Sequence, residues 1–326
     1  MRPCLTPCRT AGGSCSSPIW RWCPMRTGPP GWAASSFWRS GDRAMKIYYD
    51  CEPTLNDIDV LELCKRGYIR LEAVVPDDVN ARARAFLEKN SSHEPTEILY
   101  EDWFMEGVIK NPQAAGAVRS LLGVNFGLPL LMSNHRVEYP TEAQGWHRDG
   151  NSKFTHELRN LQVFYLPQDC TMEMGPTEII PGTHLLYSAN DHLKHLDRVR
   201  GSEFMAGPAG SIFITVYSIW HRRSTSMRAK TPGVRNALKY NYFRTAPPQR
   251  DWCFDPDFDF GNAPYLPEGD SGYYRDRWLA ASHAAEMFLW LCGKHAQFKT
   301  EGGQTWPLNA ATARFADAPF GVPPGL

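Results

Sequence analysis

The sequence predicts a mainly β fold with flanking helices, an all-β sandwich or closed jelly roll held in one domain. Three observations carry that reading. From 131 to 245 the chain runs as short apolar stretches broken by Pro and Gly turns, the spacing of a many-stranded antiparallel fold. Stretches with helical period lie before and after that region. A hydrophobic content of 42% with 12% aromatics is ample for a large core. About 280 residues fit one elaborated β domain.

Residues 1–44 differ from the rest: six Arg, no Lys, one acidic residue (Asp42), six Pro and four Cys, without periodicity. They hold no continuous apolar core of the kind a signal peptide needs. Ordinary globular sequence opens at Met45-Lys-Ile-Tyr-Tyr. The expected organisation is a disordered or non-native extension over 1–44 with a true start at Met45, one domain over 45–300, and a C-terminal tail over 301–326. Thr54 or Asn56 caps a first helix through Lys65. Gly67 to Val75 alternates as a strand, and Pro76 opens a second helix to about Lys89. Residues 111–122 read as a third helix. Strands are expected over Ser133–Glu138, Leu161–Pro167, Ser211–His221 and Arg235–Phe243. Residues 246–270 read as an irregular loop. Ser271 to about Phe298 reads as a helix whose Trp278, Leu279, Met287, Phe288 and Leu291 pack on the outside of the sheet.

Charge excludes some function classes. Lys plus Arg and Asp plus Glu balance at 35 each, so no global field attracts nucleic acid or an anionic membrane. No apolar run approaches the roughly 20 residues that span a bilayer. Nine cysteines, four of them before residue 24 and the others scattered, form no C-x-x-C and read as reduced thiols of a cytoplasmic protein. A small-molecule substrate and a monomer or homodimer are the expected partners.

The chemistry concentrates at Gly145-Trp-His-Arg-Asp-Gly150. If residues 146–149 are extended, His147 and Asp149 point to the same face and reach one ion from one side. His221, at the end of the most hydrophobic stretch, is the candidate third ligand. Two His and a carboxylate on one face, with other positions open, is the donor set of non-haem Fe(II) oxygenases. H-x-D alone is weak, arising by chance in about every second chain of this composition. A second copy, His195-Leu-Asp197, sits in a charge-dense stretch without strand alternation and reads as solvated.

The order of the surrounding segments resembles the phytanoyl-CoA dioxygenase family of Fe(II)- and 2-oxoglutarate-dependent oxygenases. The matching pieces are Trp146-His-Arg-Asp149, Leu161-Gln-Val-Phe-Tyr-Leu-Pro167, Met174-Gly-Pro-Thr-Glu-Ile-Ile-Pro-Gly-Thr-His184, Gly210-Ser-Ile-Phe-Ile, His221 and Arg235-Asn-Ala-Leu. They span roughly residues 55 to 245. The resemblance implies a double-stranded β-helix, cupin-like in form, with Fe(II) on His147, Asp149 and His221. It also implies 2-oxoglutarate and O2 as cosubstrates, with a small metabolite hydroxylated or desaturated and succinate and CO2 released. A carboxylate at 149, where the related halogenases keep Ala or Gly, points away from halogenation.

Charge balance asks for one more cation. Fe(II) with one carboxylate is left at plus one, and the 2-oxoglutarate dianion brings the centre to minus one. An Arg suits the distal carboxylate because its planar fork pairs bidentately. Arg235, with Ala237 two residues on, matches the family's position. Ser224 neighbours the residue where the family carries a second 5-carboxylate contact; that residue here is Arg223. Asn134 or Arg136 would serve the 1-carboxylate, and Phe164 or Tyr165 an aromatic wall. Arg222, Arg223 and Arg228 read as surface charges or substrate contacts, and His184 as structural. His135 and His156 are candidates to line the substrate pocket. Two rival readings remain open: a cupin-type metal enzyme without 2-oxoglutarate, and a non-catalytic metabolite-binding protein on the same fold.

Overall fold

The computed structural model describes residues 47–151, 155–186, 195–249 and 274–295. Residues 1–44, the tail from 301 and most of the loop over 246–270 lie outside them, as do the side chains of Trp278 and Leu279. Twelve strands are described: β1 Tyr48–Tyr49, β2 Tyr68–Leu71, β3 Phe126–Gly127, β4 Ser133–Asn134, β5 Val137–Tyr139, β6 Asn160–Tyr165, β7 Thr177–Ile179, β8 Glu203–Phe204, β9 Ile212–Val216, β10 His221–Arg223, β11 Gly233–Arg235 and β12 Leu238–Phe243. The helices are α1 Asp57–Arg66, α2 Asp77–Lys89, a short α3 Asp102–Phe104 that runs on as a π turn, α4 Pro112–Leu122 and α5 Tyr274–Leu291.

The fold is mainly β, a jelly roll whose chain passes back and forth between two layers. The larger sheet orders as β1-β3-β12-β6-β9-β2, with β4 also on β12. Opposite it lie β10-β7-β8 and the pair β11-β5. All these pairings are antiparallel. From β6 onward the strands pass through β7 and β8, return at β9, cross at β10 and β11, and return at β12. That alternation between layers makes the double-stranded β-helix.

Period-two patterning places the core. Leu161, Val163 and Tyr165, Ile212, Ile214 and Val216, and Leu238, Tyr240 and Tyr242 all point to the helices and share their core. The intervening residues point between the layers, where Phe164 and Phe213 pack with Leu166, Ile179, Ile219 and Ala237. Lys239 and Asn241 fall on that inner side of β12, as Gln162 does on β6.

The helices end where their caps say. Asn56 caps α1 through a reciprocal pair with Asp59: Asn56 Oδ1 accepts from the Asp59 amide at 2.9 Å and Asp59 Oδ2 accepts from the Asn56 amide at 3.3 Å. Asn111 caps α4 by accepting from the amides of Gln113 and Ala114, both at 3.2 Å, with Pro112 at the first helical position. Met287, Phe288 and Leu291 of α5 are buried in the helix-side core, and α5 packs along α1.

Four expected strands break. The run 211–221 is two strands in opposite sheets: the chain turns at Tyr217–Ser218, where the Ile219 amide donates back to the Val216 carbonyl at 3.1 Å. The run 133–138 divides into β4, on β12, and β5, on β11. Arg235 to Phe243 divides at Asn236–Ala237, where the Asn236 amide meets Gln168 Oε1 at 3.3 Å instead of a strand partner. Asn134 with Arg136, and Arg235 with Lys239, are therefore not residues of one strand face. Nor does the strand from Gly67 reach Val75; β2 stops at Leu71. In the first three cases the alternating pattern continues through a crossing between layers, whereas after β2 the chain leaves the sheet and leads into α2.

Candidate metal centre

His147 and His221 form an isolated antiparallel bridge, each amide donating to the other's carbonyl at 3.0 Å. Residues directly opposite across such a bridge carry their side chains on the same face. That pairing, not strand alternation, brings the imidazoles together, their centroids 4.5 Å apart. Asp149 is not extended as expected. It opens a short turn, Asp149–Asn151, in which Gly150 takes φ 62°, and the turn folds the carboxylate back beneath the two rings.

The tautomers suit ligation. His147 Nδ1–H donates to the Gly145 carbonyl at 2.9 Å and His221 Nδ1–H to the Ile219 carbonyl at 3.1 Å. Each ring then presents its Nε2 lone pair. Asp149 Oδ1 lies 4.0 Å from His147 Nε2 and 3.8 Å from His221 Nε2. His221 Nε2 is buried with no hydrogen-bond partner among the described residues. A cation placed among these three atoms would satisfy it, and the three donors lie within 4.8 Å of one another. The residues present thus fit a divalent metal bound by two His and one carboxylate.

The second carboxylate oxygen is held from behind. Asp149 Oδ2 accepts from Lys239 Nζ at 2.9 Å and from Gln162 Nε2. Burial alone would raise this carboxyl, but His221, Lys239 and Gln162 outweigh it and bring the pKa down to about 2. Burial lowers His221 to about 4 against the pull of Asp149, and His147 adds to the lowering. Both groups are therefore in their metal-binding protonation states at neutral pH.

One cavity of about 380 Å³ holds His147 and Asp149 together with Asn134, His135, Arg136, Arg223, Arg235 and Lys239. Arg235 is 1% exposed and has no acidic partner among the described residues. Its Nη1 donates to the Gly175 carbonyl at 2.6 Å, and Nε has no partner there. Asn134 is buried with Nδ2 donating to Asn236 Oδ1 at 2.9 Å, while Arg136 reaches Glu138 at 3.0 Å. The Phe164 ring lies 6.1 Å from His221 and 5.8 Å from His135, walling the site.

Other expected residues are not brought here. Tyr165 points to the helix side, its hydroxyl donating to Asn80 Oδ1 at 2.6 Å. Ser224 faces a different cavity and donates to the Pro176 carbonyl at 2.8 Å, because the residue after Arg223 alternates away from His221. Arg222 is no surface charge: it is buried, pairs with Glu178 at 2.7 Å and lies over Trp146. Arg223, by contrast, points inward, hydrogen-bonded to the Glu142 carbonyl at 3.1 Å. His184 Nε2 donates to the Cys64 carbonyl at 2.9 Å, in the helix-side packing. His156 does not line the cavity and lies against Glu286 instead. The residues that sequence reasoning missed are Lys239 and Gln162. The signal was present in Leu-Lys-Tyr-Asn-Tyr-Phe, where a lysine occupies the inner side of a strand whose other side is fully apolar.

No protein-family model matches the chain, and no curated protein matches it in sequence. Among solved structures, it is similar to HygX from Streptomyces hygroscopicus with nickel and 2-oxoglutarate bound, at 13% identity and TM-score 0.47, covering 66% of this chain and 96% of that one. It is also similar to SnoN, a non-heme alpha-ketoglutarate-dependent epimerase from nogalamycin biosynthesis, at 15% identity and TM-score 0.45, covering 56% and 81%. The carbocyclase SnoK from the same biosynthesis gives 17%, 0.44, 56% and 82%. At these values the chemistry rests on the site's own side chains. Among the described residues no helix is long and apolar enough to cross a membrane.

Proposed function

We propose that the chain is a non-haem Fe(II)- and 2-oxoglutarate-dependent oxygenase. More narrowly, it is read as a dioxygenase similar to the phytanoyl-CoA dioxygenase family that hydroxylates or desaturates a small metabolite. The observation that carries this is the facing of Asp149 Oδ1 by two Nε2 atoms whose rings are fixed through Nδ1. His147, Asp149 and His221 would hold Fe(II) on one side, leaving its other positions for cosubstrate, O2 and substrate. Bound there with 2-oxoglutarate and O2, the metal supplies an oxidant for a C–H bond, with succinate and CO2 as coproducts.

The protein's own contribution is binding and orientation. Arg235, buried and without an acid, offers its fork to the distal carboxylate of 2-oxoglutarate. Asn134 and Arg136 stand on the same cavity wall for the near carboxylate. Phe164 and the half-buried His135 close the inner side and restrict water. A cavity near 380 Å³ suits a cosubstrate with part of a small substrate. A CoA thioester is disfavoured, since Arg222 is already committed to Glu178.

The test is succinate formation from 2-oxoglutarate by purified protein with Fe(II), with and without O2, before any substrate is known. Uncoupled turnover that needs both Fe(II) and O2 supports the reading. Metal binding at the triad with no 2-oxoglutarate binding would move the chain to the cupin-type alternative.

A further inference from the structure

A second cluster of donors lies outside that cavity. His156 Nδ1 is 3.1 Å from Glu286 Oε1, and His295 Nε2 is 3.0 Å from the same oxygen. The three ligating atoms lie within 4.8 Å of one another, the second such group among the described residues. Local structure explains the convergence. Glu286 is on α5, and past the helix end the chain reverses at Gly293, with φ 69° and the Gly293 amide donating to the Trp290 carbonyl at 2.9 Å. A Cβ at Gly293 would meet the Pro248 carbonyl at 2.6 Å, so only glycine fits this reversal. The turn returns His295 alongside Glu286. His156 arrives from a distant part of the chain and packs edge-on against Trp290, whose ring also carries Arg244 at 4.8 Å.

From this arrangement we infer that His156, Glu286 and His295 form a second transition-metal site, of the Zn(II) class, which ties the end of α5 to the segment around residue 156. Two neutral imidazoles and one carboxylate sum to a net negative charge, and this donor set with a water completes tetrahedral zinc. Without metal, both rings direct an N–H at one carboxylate oxygen; a divalent cation takes the place of those two N–H groups, each proton passing to the other nitrogen of its ring, so both imidazoles stay neutral. The rings lie 4.0 Å apart and within 10° of parallel, so both lone pairs cannot yet point at one ion. Turning the more exposed ring, His295, about Cβ–Cγ brings its nitrogen round. The half-buried setting against Trp290 keeps the donors from bulk water on one side. This site goes beyond the proposed oxygenase and stands whether or not that reading holds.

The experiment counts Zn(II) by competition with a chromogenic chelator. The wild-type chain is expected to bind two equivalents and the His147→Ala/His221→Ala variant one. In that background, His295→Ala or Glu286→Gln is expected to weaken the remaining equivalent at least tenfold. A second measurement leaves the proposed ligands intact: one equivalent of Zn(II) is added to His147→Ala/His221→Ala and the imidazole proton resonances are followed. Those of His156 and His295 are expected to move. A double variant that retains no Zn(II), or retains it undiminished after His295→Ala and Glu286→Gln, overturns the site, as do unmoved His156 and His295 resonances.

Discussion

Lys239 Nζ lies 2.9 Å from Asp149 Oδ2, on the side of the carboxylate turned away from the two imidazoles. With Gln162 on the same oxygen, the carboxylate is divided: Oδ2 is held by the protein and Oδ1 remains for a metal. Such partners behind a ligand set its orientation and typically govern about 10–100-fold in metal affinity. Gln162→Leu removes one of them without changing charge. The expected result is a Co(II) or Ni(II) affinity lower by about tenfold in the folded variant, read by titration. An unchanged affinity would show that Lys239 alone orients the carboxylate.

Lys239→Met removes the charge instead. Lys239 is among the groups that hold the Asp149 carboxyl down at about 2 against burial, so the carboxyl is expected to titrate upward in the metal-free variant. Carbon NMR of the Asp149 carboxyl reads it directly. The variant also leaves a half-buried carboxylate one partner short, costing about 1–3 kcal/mol of stability at neutral pH. A carboxyl still titrating near 2 would assign the depression to His221 and Gln162.

Much of this centre is legible in the residues themselves. His147, Asp149, His221 and Arg235 stand out by type and order, and Asn56 and Asn111 mark helix starts through their side-chain chemistry. What cannot be read locally is where the chain changes sheets. Tyr217–Ser218 and Asn236–Ala237 interrupt patterns that keep their alternation, because the break is dictated by partners far away: Thr183 Oγ1 takes the Trp220 amide at 3.0 Å, and Gln168 takes that of Asn236. The same limit hid the reason His147 and Asp149 meet. Their spacing suggests a strand, whereas the fold uses a cross-strand bridge and a turn. Arg222 shows the converse: a charge beside a ligand reads as solvated until Glu178, on the neighbouring strand, is known to face it.

Acid stability follows from buried neutral imidazoles. Burial lowers His184 to about 4 despite its bond to the Cys64 carbonyl, with Arg148 and His283 adding to the lowering, and His221 is also lowered to about 4. In the unfolded chain both titrate near 6.5. Between about 6.5 and 4 the unfolded state therefore binds more protons, and stability rises with pH. The metal-free protein is expected to hold its full stability above about 6.5 and to lose it on acidification toward 4, by up to about 3 kcal/mol for each group. Urea midpoints across that range measure it. His184→Gln keeps an N–H for Cys64 and is expected to flatten the slope; a profile already flat in the wild type contradicts the assignment.

Arg235→Ala is expected to weaken 2-oxoglutarate binding by about 2–5 kcal/mol, the scale of a buried charge pair cut on one side. Metal affinity at the triad should persist, which separates the two roles. An anaerobic titration of the Fe(II) protein with 2-oxoglutarate reads the change. Pyruvate, which lacks the distal carboxylate, should bind wild type and variant alike. Equal loss for both keto acids would place Arg235 in support of the fold.

Gly175 offers an independent way to move that guanidinium. Its carbonyl accepts from Arg235 Nη1 at 2.6 Å, and its φ of 65° puts the residue in the left-handed region. A Cβ there would approach the Ser224 carbonyl to 2.7 Å, one residue past the end of the strand that carries His221 and Arg223. Gly175→Ala must therefore shift the backbone that seats Arg235, at a cost of about 1–3 kcal/mol for the strained φ alone. Because Arg235 itself is retained, the expected signature is a weaker 2-oxoglutarate affinity, smaller in loss than Arg235→Ala, together with a lower unfolding midpoint. A stability loss with 2-oxoglutarate affinity intact would mean that the Gly175 carbonyl does not position the arginine for the cosubstrate.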